Sequence, residues 1–190
     1  MKKMETKRCF IALDLPREAI NEIKKTQNLI WKKTLFTGKI TEPENLHLTL
    51  KFLGEINEDK INEIRKRLRE IKPKSFEAEL GEVGIFSKQF IKIIWVKLNG
   101  KGVFQLQKEI DNKLKDLFEP EQRFMGHITI ARVKNVKDKE ELIEYLENLK
   151  IKRIKFKVNE FILKNSELMP EGPVYLDIEK YALIDNNKKI

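Results

Sequence analysis

The chain has 190 residues, of which 41% are hydrophobic and 36% charged, and its net charge is 39 − 30 = +9. The apolar share is enough for a core that buries about 70% of the unfolded surface, which excludes a disordered chain. No segment approaches the ~20 apolar residues of a membrane span, and a single cysteine excludes a disulfide scaffold.

The excess of lysine and arginine suits an anionic partner such as nucleic acid, nucleotide or an acidic membrane surface, or else a solvated lysine-rich surface. Cys9, the one cysteine, reads as a small buried hydrophobe. With no intramolecular disulfide possible, the chain is expected in a reducing cytoplasm. The apolar run after MKKMETKR stops at Asp14, too short for a signal sequence.

Residues 9–15 (CFIALDL) read as a buried strand that Pro16 closes, with a helix over about 17–33 carrying Ile20, Ile23 and Ile30. Residues 46–53 (LHLTLKFL) alternate as a strand up to Gly54. Asn57 caps a helix with Ile61, Ile64, Leu68 and Ile71 on one face, ended by Pro73. Strands follow at 76–85 and 90–98. Val103, Leu106, Ile110, Leu114 and Leu117 mark a helix that Pro120 stops. A strand at 126–133 (GHITIARV), a helix at 138–149, strands at 154–163 and 174–183, and a frayed polar tail from Asn186 complete the chain.

The order strand–helix–strand–helix–strand–strand recurs. An offset of 80 relates His47 to His127, Thr49 to Thr129, Ile71 to Ile151, Phe76 to Phe156 and Trp95 to Tyr175. An offset of 81 relates Ile61, Ile64 and Leu68 to Leu142, Tyr145 and Leu149. One α+β domain over 1–190, built from two similar lobes, is expected. Apolar matches arise easily, so the polar His and Thr matches carry most of the weight.

Both histidines sit in the pattern His–apolar–Thr–apolar: His47-Leu48-Thr49-Leu50 and His127-Ile128-Thr129-Ile130. By composition both would fall in that pattern about 4 times in 100,000, so the pair is a specific signal. Alternation puts His47 and Thr49 on one face of their strand and the leucines on the other, and likewise for His127 and Thr129. A pseudo-twofold axis would turn the two His/Thr faces toward one another. In-line displacement at phosphorus places nucleophile and leaving oxygen at opposite apices, so two imidazoles can serve as base and acid. The threonine hydroxyls can donate to the non-bridging oxygens. A strained cyclic phosphodiester fits such a site, and no cofactor or metal is expected.

Other readings use the same residues less well. Metal binding needs three or four ligands, and only two histidines exist with no carboxylate at ligand spacing. A serine nucleophile lacks a Gly-x-Ser-x-Gly elbow. Two inert buried histidines would leave the duplication unexplained.

At these motifs the sequence resembles the two-histidine phosphoesterase superfamily, and within it the RNA 2′,3′-cyclic phosphodiesterases, also called 2′-5′ RNA ligases. The resemblance runs through Phe10–Pro16, Asn45–Gly54 and His127–Arg132, with Ser166, Leu168, Gly172, Pro173 and Tyr175 late in the chain. It implies a bilobal, pseudo-twofold arrangement of two antiparallel sheets with flanking helices around a central cleft. It also implies metal-independent hydrolysis of an RNA 2′,3′-cyclic phosphate to a 2′-phosphate, by a monomer without a membrane partner.

In the family the first histidine is the proton donor and the second the acceptor, which here implies His47 and His127. A symmetric pair allows either assignment. Thr49 and Thr129 hold phosphate, and Arg132 supports the site, although strict alternation turns Arg132 away from His127. Lys51 shares the phase of His47 and Thr49 and can touch phosphate, or it is a solvated strand lysine. Phe10, Trp95 and Tyr175 can stack on a base or fill the core. Gly126 stands where the family often has proline. Alternatives are 2′-5′ ligation, a 2′-5′ oligonucleotide or nucleotide phosphodiesterase, and a non-catalytic RNA-binding module.

Overall fold

A computed structural model describes residues 5–170 and 172–185, so the polar tail from Asn186 lies outside the described residues. The elements in chain order are β1 (Thr6–Asp14), α1 (Arg17–Lys32), β2 (Phe36–Ile40), a 3-10 turn (Pro43–Asn45), β3 (His47–Asn57), α2 (Glu58–Arg69), β4 (Phe76–Ile85), β5 (Ile93–Asn99), α3 (Lys101–Leu114), β6 (His127–Val136), α4 (Lys139–Asn148), β7 (Lys155–Val158), β8 (Glu160–Met169) and β9 (Gly172–Ala182). Among the described residues no helix is long and apolar enough to cross a membrane.

The helices form where amphipathic periodicity and caps coincide. The Asn57 side chain accepts from Lys60 N (3.0 Å) at the start of α2, and the Asp138 side chain accepts from Glu141 N (2.9 Å) at the start of α4. These two caps stand 81 residues apart, the same offset as the helix faces behind them.

Among the described residues the strands form one curled antiparallel sheet in the order β7-β4-β5-β6-β3-β1-β8-β9, with β2 added to β6. It has two four-stranded halves, β3-β1-β8-β9 and β6-β5-β4-β7, joined by the single pair Leu48↔Ile128. Beyond that pair β3 and β6 part, and β2 takes the freed edge of β6 from Ile40↔Ala131 to Phe36↔Val136. The halves interleave the chain. The β4–β5 hairpin joins β6, and β8–β9 joins β1 and β3. The helices cross over as well, α1 packing on β6 and α3 on β3. Leu48, Leu50, Ile128 and Ile130 meet Ile23, Ile30, Leu106 and Ile110 in one core on the helical side. Each such buried side chain stabilises the fold by about 1.5–3 kcal/mol.

Three differences from the expected elements have physical causes. The strand expected at 154–163 breaks at Asn159, because the chain there leaves β4 for β1; the orphaned Asn159 carbonyl accepts from Leu183 N (2.7 Å). The short strand β2 was not expected from its sequence, FTGKI. Gly38 makes it possible, since a Cβ there would stand 2.0 Å from the Arg132 carbonyl oxygen. The offset-80 pairs of the outer strands are not symmetry mates. Phe76 and Phe156 lie on the adjacent strands β4 and β7, and Trp95 pairs with Thr129 as Ala12 pairs with Thr49.

Matching β-bulges interrupt the two motif strands. Ile11 pairs with Lys51 and Ala12 with Thr49, which leaves Leu50 without a partner. Ile94 pairs with Ala131 and Trp95 with Thr129, which leaves Ile130 without one. A bulge resets the alternation, so each strand exchanges faces after it. Both bulges are held by a buried polar side chain from the helix behind. Gln27 Nε2 of α1 donates to the Ile130 carbonyl (2.9 Å) and to the Thr41 carbonyl (2.8 Å). Asp111 of α3 accepts from Lys51 Nζ (2.5 Å), Gln107 Nε2 (2.6 Å) and Glu121 N (2.8 Å).

Lys51 is therefore corrected. It faces the core, 6% exposed, where it binds Asp111 and the Glu119 carbonyl (2.9 Å), and it touches no cleft ligand. Lys51→Met leaves the Asp111 carboxylate buried without its cation, and urea unfolding should register a loss of about 3–5 kcal/mol. Adding Asp111→Asn removes the stranded charge and should recover part of that loss.

Candidate active site

The antiparallel pair Leu48↔Ile128 sets the site. Its register brings His47 beside Thr129 and Thr49 beside His127. The two histidines become diagonal neighbours across the junction, about 7–8 Å apart in a regular ladder. All four side chains line one cavity of about 510 Å³, which opens where β3 and β6 part.

Both imidazoles are fixed from behind in the same way. A carbonyl can only accept, so His47 Nδ1–H donates to the Asn45 carbonyl (2.8 Å) and His127 Nδ1–H to the Met125 carbonyl (2.8 Å). In the neutral rings the Nε2 lone pairs are left for the cavity. Thr49 Oγ1 stands 3.1 Å from His47 Nε2, where its hydroxyl can donate. Asn45 also holds the β8–β9 hairpin, donating from Nδ2 to the Pro173 carbonyl (3.0 Å).

The two surroundings differ. The His47 ring lies 5.0 Å from both Phe10 and Tyr175, whereas the His127 ring meets the edge of Phe86 at 4.8 Å. Burial pushes the His47 pKa down to about 4. The Asn45 hydrogen bond and Asp14 act upward, and Lys164 and His127 downward. Asp14 is the Cα partner of His47 and is itself bound by Lys164, whose Nζ lies 3.0 Å from its carboxylate.

Arg132 reaches the cavity because the Ile130 bulge turns it there, against the strict alternation of the sequence. Phe52 is its counterpart in β3, turned into the cavity by the Leu50 bulge and 70% exposed. Sequence reasoning missed Phe52, and also Phe86. For Phe52 the sequence signal was its counterpart Arg132, in phase with Ile128 and Ile130, a conflict that a bulge resolves; Phe86 left no such signal. Of the three stacking candidates, Phe10 and Tyr175 line the cavity, Phe10 nearly buried, while Trp95 is buried and is not among the lining residues.

Gly126 has a steric reason. A Cβ there would stand 2.7 Å from the Leu98 carbonyl oxygen, which belongs to the backbone of β5. The Gly126 carbonyl in turn accepts from Leu98 N (2.9 Å). Glycine thus lets the chain run close to β5 immediately before His127.

Gly126→Ala should displace His127 and lower kcat by about a hundredfold, the cost of roughly 1 Å of misplacement. An NMR titration of the free protein should put the His47 midpoint near pH 4; a midpoint near the ordinary ~6.5 would show a hydrated ring.

A family model described as LigT-like phosphoesterase matches the chain twice, over residues 13–95 and 96–175. The RNA 2′,3′-cyclic phosphodiesterase of Methanocaldococcus jannaschii is 35% identical over 177 residues, 92% of this chain and 99% of that protein. The protein of the same name from Methanothermobacter thermautotrophicus is 33% identical, over 93% and 98% of the two chains. Among solved structures, TT0787 of Thermus thermophilus superposes with a TM-score of 0.77 at 25% identity, covering 95% of this chain and 100% of that one. LigT of Escherichia coli complexed with 3′-AMP gives 0.72 at 23%, covering 95% and 99%. The two matched segments take up most of the sequence, each with one His/Thr motif strand, and the chain belongs to the LigT-like phosphoesterase family.

Proposed function

We propose that the protein opens the 2′,3′-cyclic phosphate at RNA ends to a 2′-phosphate, with His47 and His127 as the catalytic acid–base pair. One observation carries this reading: two imidazoles tied down at Nδ1 line one cavity together with both motif threonines, and Thr49 Oγ1 stands 3.1 Å from His47 Nε2. The names of the relatives point to the same substrate.

The cyclic phosphate sits between the rings, its non-bridging oxygens on Thr49, Thr129 and Arg132. His127 Nε2 takes a proton from water as the water oxygen bonds to phosphorus. The P–O3′ bond breaks on the far side, and protonated His47 delivers its proton to O3′. One water is consumed, the products are a 2′-phosphate and a 3′-hydroxyl, and exchange with solvent resets the two rings. Burial holds His47 neutral in the free protein. The phosphate anion against Nε2 reverses that balance, since an opposite charge favours the charged ring. His47 thus acquires its proton along with the substrate.

The reaction uses no metal in this reading. Among the described residues no three His, Cys, Asp or Glu side chains converge to hold one. Both motifs come from one chain, which suits a monomer. Cys9 is buried with its thiol pushed up to about 11, an inert group at home in a reducing cytoplasm. A binding module alone would not need two Nε2 lone pairs turned to one cavity. Joining RNA ends through a 2′-5′ bond would be the same displacement with a 5′-hydroxyl in place of water: its oxygen bonds to phosphorus, His127 takes its proton, and the P–O3′ bond breaks as before.

An oligonucleotide ending in a 2′,3′-cyclic phosphate should be converted to the 2′-phosphate in EDTA at the rate seen without it. His47→Ala and His127→Ala should each lower kcat by about 10²–10⁴-fold while keeping the wild-type circular dichroism spectrum. Wild-type turnover in either variant, or a 3′-phosphate product, would remove this mechanism.

A further inference from the structure

The catalytic phosphate leaves much of the cavity unused. Its volume, about 510 Å³, is that of a site for a whole nucleotide rather than one anion. Its charge is also in excess of one phosphate. Arg8, Lys39 and Arg132 all line it, and the one lining carboxylate, Glu42, is held by Lys39 at 2.8 Å. Among the described residues neither Arg8 nor Arg132 has an ion-pair partner within 4.0 Å. A guanidinium left open in a cleft is suited to a phosphate, which it can grip through two parallel N–H donors.

Arg8 lies on β1, which sets its distance from the histidines. Phe10 stands 5.0 Å from the His47 ring. Arg8 follows on the same strand face two residues further, about 7 Å along it, and β1 is regular there against β8, with Arg8↔Ser166 and Phe10↔Lys164. Phe52 lies 6.4 Å from Phe10 and is 70% exposed, so an apolar shelf separates Arg8 from the histidines. The Tyr175 phenol belongs to the same corner: burial raises its pKa, and Arg132 and Arg8 pull against that rise. The cleft therefore reads anion site, apolar shelf, anion site. A nucleotide has that same order, with the cyclic phosphate at one end of the sugar and a phosphate on O5′ at the other.

We propose that Arg8 binds the phosphate on O5′ of the terminal nucleotide, so that the cleft distinguishes the end of a chain from a free nucleoside 2′,3′-cyclic phosphate. The proposal rests on the reaction given above and names the second half of its substrate. The competing role for Arg8 is local. Its Cα partner across β3 is Glu55, whose carboxylate accepts from Thr6 Oγ1 at 3.4 Å.

The test compares three substrates: a nucleoside 2′,3′-cyclic phosphate, the same compound with a 5′-phosphate, and a dinucleotide ending in the cyclic phosphate. The wild type should prefer the second and third over the first by about tenfold or more in kcat/KM, the worth of a charge-assisted hydrogen bond. In Arg8→Gln that ratio should fall to near one, with partial recovery in Arg8→Lys. Salt dependence for the dinucleotide should become shallower by about 0.7 in log–log slope, as for one lost phosphate contact on a single strand. A preference that survives Arg8→Gln, or none in the wild type, overturns the proposal and leaves Arg8 as a neighbour of Glu55. Calorimetry with the same three ligands separates the two readings. If none is hydrolysed, the reaction is wrong, and Arg8-dependent tighter binding of the 5′-phosphorylated compound still decides the site.

Discussion

The cleft depends on two β-bulges and on the buried polar groups that hold them. A strand of strict alternation would send Lys51 to the cleft and Phe52 and Arg132 into the helical core. Leu50 and Ile130, each left without a partner, turn that order round. The helix behind each bulge supplies one buried side chain to it, Gln27 from α1 and Asp111 from α3. An unsatisfied carbonyl or a lone ammonium at either place would cost several kcal/mol, so the bulge and its partner require one another. Asp111 also fixes the Glu121 backbone and, through Lys51, the Glu119 carbonyl. The loop before His127 is thus anchored by a residue of the His47 strand.

The same bulges mark the limit of what the residue pattern discloses. The His/Thr faces were legible, because side chains alternate and the residues preceding the bulges obey that rule. The helices were legible from apolar spacing, and one of them from Asn57 as its cap. The face of Lys51 was not, since an extra residue in a ladder leaves no mark in a stretch such as HLTLKFL. The break at Asn159 was equally hidden. The run from Ile154 to Leu163 looks like one strand, and only its two partners, β4 and β1, divide it. Gly38 and Gly126 were ambiguous in the sequence, because what each glycine admits is the backbone of a distant strand.

Interleaving the halves has a consequence for precision. Each motif strand is backed by a helix, and two strands from the other part of the chain build up its half. His47 lies on β3, in the half completed by β8 and β9; His127 lies on β6, in the half completed by β4 and β5. The single pair Leu48↔Ile128 would be a weak joint alone. The crossing helices α1 and α3, with Gln27 and Asp111, tie the halves a second time.

A duplicated frame supplies two equal imidazoles, yet the proposed reaction needs an acid and a base, and these must differ. The departures from symmetry provide the difference. His47 is enclosed by Phe10 and Tyr175, and its desolvated ring stays neutral until about pH 4 unless an anion arrives. Asp14 opposite it pulls the other way, so the proton can return when phosphate offsets the burial. The His127 ring instead meets Phe86 in an edge-on contact. Across the two bulges, Phe52 stands where the second motif has Arg132. The first half offers an apolar surface and the second a cation. In the proposed reaction that exchange would orient the substrate between the rings, with the sugar and base toward Phe52 and the phosphate within reach of Arg132. Symmetry places the two rings, and in the proposed reaction the residues that break it would decide which side of the phosphorus each one serves.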